Sequence, residues 1–306
     1  MSKQCPKCSY VRTEADFVPE YECPRCGVIY AKYQAKPKAT QGTPKKTKPQ
    51  KSKINWTRWR IGALLIILLV VAEIDFQSNI LWQQPVVVAI HPLMADSSPK
   101  TEQFINTLNQ NSFHEIEWFF ERSAELYNFS LEQPLTFRLE SSTATYPPEL
   151  PDSPNIFSVV IWSLRMRLWA MNIDYYSEEK PDVQLVLLYH DPQKSNRVPH
   201  SFGLEKGKIG VAHIFASDNM APSNKVVIAH ELLHTLGASD KYDAATNIPQ
   251  YPDGYANPDQ EPLHPQSEAE IMGGRIPESA ASATIPEALS QVVMGPVTAT
   301  EIGWLP

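Results

Sequence analysis

All four cysteines of this 306-residue chain lie within its first 26 residues, and they form two CxxC pairs. The pairs, Cys5-Pro-Lys-Cys8 and Cys23-Pro-Arg-Cys26, are separated by 14 residues. Two such pairs complete the tetrahedral sulfur shell that zinc favours, whereas two disulfides fit this symmetric spacing less well. About thirty residues bury too little apolar surface to fold alone, so a bound metal would supply most of the folding free energy.

Residues 1–33 resemble a zinc ribbon, with Gly27 directly after the second cysteine pair, where a tight turn needs a glycine. The resemblance implies one structural Zn²⁺ held by the four cysteines. Such ribbons bind nucleic acid, bind protein or act as scaffolds. Basic side chains such as Arg12, Arg25 and Lys32 are too few here to indicate nucleic-acid binding. A protein partner or a structural role is therefore favoured.

The charge of the chain is divided unevenly, although its formal net charge is only −7. Residues 1–60 hold 14 Lys and Arg against 4 Asp and Glu, a net of +10, whereas the remaining residues hold 13 against 30, a net of −17. Residues 34–55 carry much of the positive charge and show no apolar periodicity. They are typical of a basic, flexible linker, whose lysines either serve solubility or attract anionic lipid headgroups.

An apolar run follows the linker. Ile61–Ala72 is unbroken for 12 residues, which is shorter than the roughly 20 residues of a spanning helix. Its flanks extend it, because Trp56 and Trp59 suit the membrane interface and apolar residues continue to Phe76. We therefore predict one transmembrane helix over residues 56–76. The alternatives are a soluble core helix and a cleaved signal peptide.

The charges beside this run predict its orientation. Nine Lys and Arg lie between Lys36 and Arg60, whereas Glu73 and Asp75 are the first charges after the run. Positive residues remain on the cytoplasmic side of a membrane helix. We expect a single-pass protein with a cytoplasmic N-terminus, where reduced thiolates can hold zinc, and a C-terminal domain in the periplasm or the extracellular space.

From residue 85 onward, segments typical of strands and helices alternate. Apolar and β-branched runs predict strands at Pro85–Ile90, Leu135–Leu139, Val183–Tyr189, Ser201–Leu204 and Ile209–Phe215, the last two as a hairpin. Apolar residues at helical spacing predict helices at Glu102–Tyr127 and Asn155–Asn172. Helices between strands indicate an α/β layered domain over residues 85–306, with a mixed sheet.

The segment SNKVVIAHELLHTLGASDKYD, which begins at Ser223, carries the clearest chemical signature. Ser223 is a suitable N-cap, and Gly237 is a suitable helix end. His230 and His234 are four residues apart, so both imidazoles leave one face of the helix and can bind one zinc ion. Glu231 lies beside them, where its carboxylate can reach a water at the metal without binding the metal. The alternative is a helix whose two histidines serve packing or lie at the surface.

Asp240 follows Gly237 by three residues, which completes the pattern HExxHxxGxxD. With this pattern the chain resembles the metzincin metallopeptidases, most of all their immune inhibitor A type, over about residues 200–306. The resemblance implies a metzincin-like fold of the α+β or α/β kind, a zinc helix that ends at the glycine, and a third zinc ligand after it. It also implies a methionine turn beneath the metal, for which Met272 in the segment IMGG is available.

The sequence leaves the third zinc ligand open. Asp240 has the favoured spacing and an oxygen that zinc accepts, although a third histidine is commoner in metzincins. The competing donors are His264, Glu268 and Glu270. Asp243 either belongs to a cation or hydrogen-bond site that fixes the loop or is a surface carboxylate. The tyrosines that either stabilise an oxyanion or simply pack are Tyr242, Tyr251 and Tyr255.

These residues predict zinc-dependent hydrolysis of peptide bonds. Glu231 is expected to act as the general base toward a zinc-activated water, and the ion is held by His230, His234 and Asp240. An extended peptide substrate is expected to lie along Ile209–Phe215, taken as the edge of the sheet, unless loops protect that edge.

Three functions fit the sequence. The first is a membrane-anchored zinc endopeptidase that acts on peptides or proteins. The second is a catalytically silent, zinc-containing protein that binds a partner or acts as a scaffold at the envelope. The third is a soluble cytoplasmic regulator that uses the ribbon on nucleic acid, which requires residues 61–72 to lie in a protein core. Protease accessibility of the large domain in intact cells separates the third function from the first two.

Metal content checks the prediction of two zinc sites. We expect the full chain to bind two Zn²⁺ ions, one structural and one catalytic, and residues 85–306 alone to bind one, because the cysteine shell is then removed. Elemental mass spectrometry of both purified proteins measures this stoichiometry. Equal zinc content in the two proteins would contradict the assignment of separate sites.

Overall fold

A computed structural model describes residues 3–34, 56, 59–62, 64–65, 80, 82–141, 145–151, 155–174 and 180–306. The chain divides into two compact units, Met1–Trp59 and Arg60–Pro306. The predicted linker lies outside the described residues except for Gln34, and so does most of the predicted membrane helix. The described part of that helix is helical and comprises residues 56, 59–62 and 64–65.

The N-terminal unit consists of two similar knuckles. Each is closed by an antiparallel bridge, Gln4 with Val11 and Glu22 with Ile29. A left-handed residue follows each cysteine pair, because Ser9 has φ 58° and Gly27 has φ 61°. The turn expected at Gly27 is therefore present, and the first knuckle makes the same turn with a serine. A short 3-10 turn, Tyr30–Lys32, follows the second knuckle.

The second unit is built around a five-stranded sheet of β1 (Val86–Met94), β2 (Leu135–Leu139), β3 (Val183–His190), β4 (Phe202–Leu204) and β5 (Ile209–Phe215). The spatial order is β2-β1-β3-β5-β4. The first four strands in this order are parallel, and β4 runs antiparallel at the edge. The prediction of a mixed sheet in an α/β domain is confirmed.

Helices cover both faces of this sheet. They are α1 (Pro99–Thr107), α2 (His114–Leu126), α3 (Ile156–Asp174), α4 (Ala221–Leu236) and α5 (Pro296–Glu301). On one face α2 and α4 share a core that includes Phe120 and Leu232, and on the other face α3 packs through Trp162 and Met166. Two short strand pairs complete the unit: β6 (Ala269–Glu270) with β9 (Val292–Val293), and β7 (Ile276–Ser279) with β8 (Ser282–Thr284).

The strand β1 continues beyond its predicted end at Ile90, although it contains Pro92. The main-chain groups of Ile90 face β2, because its carbonyl oxygen accepts from the N–H of Glu140 at 2.9 Å. Pro92 shares this orientation, and the pairing with β2 ends at Ile90. The N–H that proline lacks would therefore point to a side with no strand partner among the described residues, so the proline removes no ladder hydrogen bond.

The single long helix predicted at Glu102–Tyr127 is wrong. The chain forms α1 and α2 there, joined through a 3-10 turn at Gln110–Phe113. Asn109 causes the break, because its side chain accepts from the N–H of Asn111 while its own N–H donates to Ser112 Oγ, both at 3.0 Å. Such local side-chain hydrogen bonds compete with the main-chain hydrogen bonds that would continue the helix.

The expectation that Ile209–Phe215 forms the sheet edge is also wrong, because β4 lies outside it. β4 pairs with only the first three residues of β5. Beyond them, side chains take the place of a strand. Ser201 Oγ accepts from the N–H of His213 at 2.9 Å, and the Asn224 amide bonds the N–H and the carbonyl of Phe215 at 3.1 and 2.7 Å. On this side of the sheet the edge strand is therefore β4.

The helix α3 is apolar around most of its circumference. Within the described part of the chain, it alone is long and apolar enough to cross a membrane, with mean hydropathy 1.2 over Ile156–Ile173 and 22% of that window buried. Its buried stripe, which includes Trp162, Met166 and Ala170, packs on the sheet. The segment Asn155–Asn172 predicted as a helix agrees with α3 to within two residues.

Two glycines set the distance between the sheet edge and α4. Gly203 of β4 lies opposite Gly210 of β5. A methyl group on Gly203 would lie 2.5 Å from Cβ of His234 and 2.6 Å from the carbonyl oxygen of Glu231. A methyl group on Gly210 would instead lie 2.5 Å from the terminal Cδ1 of Leu185. The main chain of α4 therefore blocks a side chain at Gly203, whereas only a movable side-chain end blocks one at Gly210.

Substitution of these glycines tests the close approach of β4 to α4. We expect Gly203→Ala to lower the free energy of unfolding by about 1–3 kcal/mol, because a helix backbone cannot move aside as a side-chain end can. Gly210→Ala is the matched control and should cost less. Thermal unfolding of both variants gives the order, and a larger loss for Gly210→Ala would contradict the contact described here.

Candidate metal centres

The four cysteine sulfurs of the N-terminal unit lie close enough together to hold one metal ion. Cys5 Sγ is 3.7 Å from Cys26 Sγ, and Cys8 Sγ is 3.6 Å from Cys23 Sγ. All four sulfurs lie within 4.8 Å of one another, and none is in a disulfide. Sulfurs placed tetrahedrally at about 2.3 Å from zinc are about 3.8 Å apart. The cluster therefore fits an ion of this size.

Main-chain hydrogen bonds favour the thiolate form of Cys23, whereas burial raises the pKa of Cys26 to about 12. The N–H of Lys7 donates to Cys5 Sγ at 3.4 Å. Burial acts to raise the pKa of the Cys23 thiol, but backbone hydrogen bonds at Arg25 and Cys26 bring that pKa down to about 6. The thiolate is the form of cysteine that binds metal.

The second cluster is carried by α4 and the turn that follows it. The helix begins at Ala221, two residues before the predicted N-cap Ser223, because Pro222 suits its first turn. Ser223 Oγ donates to the carbonyl of Met220 at 3.0 Å instead of capping. The helix ends at Gly237, as predicted, with a left-handed φ of 113°.

Three potential ligand atoms meet beside α4. The Nε2 atoms of His230 and His234 are 3.1 Å apart, and Asp240 Oδ1 lies 3.2 Å from the first and 3.1 Å from the second. Burial acts to raise the pKa of Asp240, yet its hydrogen bonds to the two histidines hold that pKa well below the usual value. The three atoms form a nearly equilateral triangle that can hold one cation.

Both imidazoles are oriented by main-chain carbonyl groups. His230 Nδ1 lies 2.9 Å from the carbonyl oxygen of Ile271, and His234 Nδ1 lies 2.8 Å from that of Ala238. A carbonyl only accepts, so an Nδ1 that donates to it leaves Nε2 free to offer a lone pair to a metal ion, whereas an Nε2 that carries a proton donates to Asp240 Oδ1 instead. Histidines that bind metal usually have a second partner of this kind.

The competing ligands lie outside this triangle. In the described residues, the group that can hold an ion beside α4 contains none of His264, Glu268 and Glu270. His264 Nε2 instead lies 3.0 Å from Tyr255 Oη. Asp243 fixes the loop by hydrogen bonds, since its Oδ1 accepts from Thr246 Oγ1 at 2.8 Å and from the N–H of Thr246 at 2.9 Å. These bonds lower the pKa of Asp243.

The C-terminal helix holds the loop that bears Asp240. The Glu301 carboxylate accepts from Ser239 N–H at 3.0 Å, from Ser239 Oγ at 2.6 Å and from Lys241 Nζ at 2.6 Å. The N–H of Lys241 donates to the carbonyl of Met272 at 2.9 Å. Both neighbours of Asp240 are thus fixed. The sequence analysis missed Glu301, because 60 residues separate it from Lys241 and no local pattern marks it.

Glu270 organises the turn at Met272. One of its carboxylate oxygens accepts from the N–H groups of Met272 and Gly273 at 2.6 and 2.8 Å. The other accepts from Gly295 N–H at 3.0 Å and from Thr298 Oγ1 at 2.7 Å. Burial raises the pKa of Glu270, and these hydrogen bonds oppose that rise. Met272 is fully buried in the same core as α4, so it supports the site by packing.

Glu231 lies next to the triangle and is only 6% exposed. Its Oε2 atom has no hydrogen-bond partner among the described residues. Burial raises the pKa of Glu231, while His230 and His234 act to lower it. A buried oxygen without a partner is rare in folded proteins and marks a place where a ligand, water or ion belongs.

A cavity of about 340 Å³ opens beside Glu231 and His230. Most of its wall is apolar and includes Ile214, Phe215, Val226, Val227, Ile271 and Ile285. His213, also in the wall, places Nδ1 at 2.9 Å from His190 Nε2. Burial and the neighbouring His190 lower the pKa of His213 to about 4, so this part of the wall is uncharged at neutral pH.

The three tyrosines considered above have different surroundings. Tyr242 lines the cavity, whereas Tyr255 lies against His264 and Tyr251 packs edge-on against Tyr255. Burial, followed by the charge of Asp240 and a hydrogen bond to it, raises the pKa of Tyr242 to about 12. The Tyr242 hydroxyl therefore remains protonated at neutral pH and can donate a hydrogen bond.

Comparison with known proteins adds no assignment. No family model matches the chain, and no curated protein is significantly similar to it. The functional interpretation therefore depends on the two clusters and their surroundings.

Glu270→Gln tests the hydrogen bonds of the Met272 turn. We expect a loss of about 2–3 kcal/mol in the free energy of unfolding, because the amide presents N–H groups to donors that need an acceptor. Thermal unfolding should shift downward by about 4–12 °C. Glu287→Gln, at an exposed position, is the control and should leave the transition unchanged. A Glu270→Gln protein as stable as the unsubstituted chain would refute this role.

Proposed function

We propose that residues 85–306 form a zinc-dependent endopeptidase that resembles the metzincins. One observation carries the proposal: the triangle of two Nε2 atoms and one Oδ1 atom lies beside the buried carboxylate of Glu231, whose Oε2 atom has no partner among the described residues. Histidines that served only packing would not explain why a neighbouring carboxylate oxygen is kept in the interior without a partner.

Zinc fits the three donors. Ligands arranged tetrahedrally at about 2.0–2.1 Å from zinc are about 3.3 Å apart, close to the observed 3.1–3.2 Å. His230, His234 and Asp240 supply the imidazole and carboxylate ligands that zinc accepts. Three protein ligands leave a fourth position open, which is typical of catalytic zinc sites, whereas structural sites have four protein ligands.

Glu231 is assigned the proton transfers of the reaction. A bound zinc ion would acidify a water molecule and polarise the carbonyl of a peptide. Glu231 would accept a proton as a water oxygen attacks the carbonyl carbon, and it would return this proton to the nitrogen as the C–N bond breaks. Glu231 and His230 line the same cavity, which supports access of Glu231 to a metal ligand and to the space for a substrate.

Tyr242 is assigned to the oxygen of the scissile carbonyl. Of the three tyrosines considered, it is the one that lines the cavity, and its hydroxyl stays protonated. A hydrogen-bond donor directed at an oxygen that gains negative charge stabilises the transition state more than the ground state.

An extended peptide is proposed to add to the open edge of β4. This strand approaches α4 at His234, because Gly203 has no side chain, so a peptide on its edge would lie near the metal ligands. Main-chain hydrogen bonds would hold the peptide. The apolar cavity beside Glu231 would receive one of its side chains, which favours an apolar residue next to the cleaved bond.

The N-terminal unit is proposed to be a zinc ribbon with one structural ion. Phe17 is fully exposed at its surface, and Val11 and Tyr21 are also exposed. Exposed aromatic side chains support contact with a protein partner.

The proposed location of the chain follows from the distribution of its charges. We place the ribbon in the cytoplasm, a single membrane pass at residues 56–76, and the peptidase domain in the periplasm or the extracellular space.

Glu231→Gln tests the proposed chemistry. We expect peptide hydrolysis to fall by a factor of about 10²–10⁴, because the amide cannot carry the proton. Bound zinc should remain at two ions per chain, because Glu231 is not a ligand. The measurements are cleavage of a denatured protein or a peptide library by the full chain and elemental analysis of the same sample.

Two further variants make the test specific. Glu278→Gln, at an exposed carboxylate, should retain full activity. Tyr242→Phe should lose a smaller factor than Glu231→Gln without losing zinc, because it removes one donor and leaves the base in place. Full hydrolysis by Glu231→Gln would refute the peptidase proposal. A zinc-loaded chain that cleaves nothing would favour the alternative, a catalytically silent partner-binding or envelope scaffold protein.

A further inference from the structure

The helix α3 has apolar side chains on two opposite faces. Its inner face packs on the sheet. Its outer face consists of six residues, each between 51% and 78% exposed: Phe157, Val160, Ile161, Leu164, Leu168 and Met171; Ile156, at the start of the helix, is also exposed. With about 100° per residue, these six fall in one stripe roughly opposite Trp162 and Met166. A helix that is apolar on all sides normally lies in a core or in lipid.

The domain exposes further apolar side chains before the helix. Tyr146 and Leu150 are 55% and 50% exposed. An exposed apolar surface such as the outer face of α3 marks an interaction site on a folded domain. Because the inner face of α3 is already fixed on the sheet, the helix cannot leave the domain to cross a membrane, but its outer face can lie on one.

The charges of α3 match an anionic surface. The helix has one acidic residue, Asp174 at its last position, and two arginines, Arg165 and Arg167, although residues 61–306 have a net charge of −17. Arg165 is exposed at one side of the outer face, whereas the guanidinium of Arg167 donates to the carbonyl of Lys206 at 3.3 Å. An exposed arginine that borders an apolar stripe can place its charge among lipid headgroups while the stripe enters the acyl region.

The position of the predicted membrane helix agrees with this orientation. Five residues separate its end at Phe76 from Trp82, which is buried in the core, and they span roughly 20 Å at most. β1 therefore begins close to the membrane. The strand β3, which follows α3, pairs its first residue Val183 with Val88 of β1. The C-terminal end of α3 thus lies toward the end of the sheet at which β1 and β3 begin.

We propose that the outer face of α3 lies in the headgroup region of a bilayer that contains anionic phospholipid, with the helix parallel to the membrane plane. The apolar composition of the face and the exposed Arg165 support this proposal independently of peptidase activity. The short chain length from Phe76 to Trp82 supports it only through the proposed membrane helix. The competing occupants of this face are a second copy of the chain and residues 61–76.

Photo-crosslinking of the full chain tests the proposal. The chain is reconstituted in vesicles of phosphatidylcholine with or without phosphatidylglycerol, with p-benzoylphenylalanine in place of Leu164. The control places the same probe at Leu126, which is 63% exposed on α2, across the sheet from α3. We expect mass spectrometry to find phospholipid adducts at position 164 and few at 126. Adducts with a second copy or with residues 61–76, or equal lipid adducts at both positions, would overturn it.

The charge of the face is tested separately. Phosphatidylglycerol should raise the lipid adduct yield at position 164, and Arg165→Gln should remove most of that gain, because one arginine near an anionic surface changes partition by about fivefold. Arg197→Gln, at an exposed arginine in a loop, should keep the gain. Equal yields in both vesicle types would overturn the requirement for anionic lipid.

Alkaline carbonate extraction separates failure of this proposal from failure of the membrane helix. Chain that carbonate releases, but that gives lipid adducts at position 164 beforehand, refutes the membrane pass and supports the outer face. Chain that resists carbonate without such adducts supports the membrane pass and overturns the face. Peptide hydrolysis is not part of either result.

Discussion

Glu270 is fully buried, and both of its carboxylate oxygens are bound by donors from separate parts of the chain. Transfer of a carboxylate from water into a protein costs several kcal/mol, and hydrogen bonds to a charged group return about 1.5–3 kcal/mol each. The four donors oppose much of this cost, although burial still raises the pKa of Glu270. The result is a rigid connection between the Met272 turn and the start of α5.

Glu301 makes the second connection, from the other end of α5 to the loop of Asp240. The same short helix thus fixes the Met272 turn and the loop that carries the third potential ligand. The Met272 turn in turn positions His230, because the carbonyl of Ile271 accepts from its imidazole. The geometry of the triangle depends on two carboxylates that touch no metal.

The two potential histidine ligands of α4 could be predicted from the sequence because they are close together in the chain. A spacing of four residues places His230 and His234 on one face of any helix, and Gly237 marks the end. The cysteine pairs are readable for the same reason. Asp240 was open to competition, because a loop ligand is fixed only by contacts such as that of Glu301, which come from far along the chain.

The wrong predictions of the fold have two origins. Asn109 interrupts the helix that apolar periodicity favours, because its local hydrogen bonds to Asn111 and Ser112 outweigh a weak pattern. The strand β1 continues past its predicted end at Ile90, because Pro92 occupies a position without a ladder partner, and this depends on where β2 stops. The hairpin of β4 and β5 was predicted, but the order of the strands, which a local pattern does not specify, places β4 rather than β5 at the edge.

The position of α5 along the chain has a consequence for the integrity of the site. All three potential ligands lie between residues 230 and 240, yet groups that hold His230 and the loop of Asp240 in place come from residues 270–301. A chain cut by a protease between Tyr242 and Glu270 would retain its full set of ligands while losing the covalent link to this support. Cleavage in this region would therefore inactivate the proposed enzyme without removing any residue assigned to its chemistry.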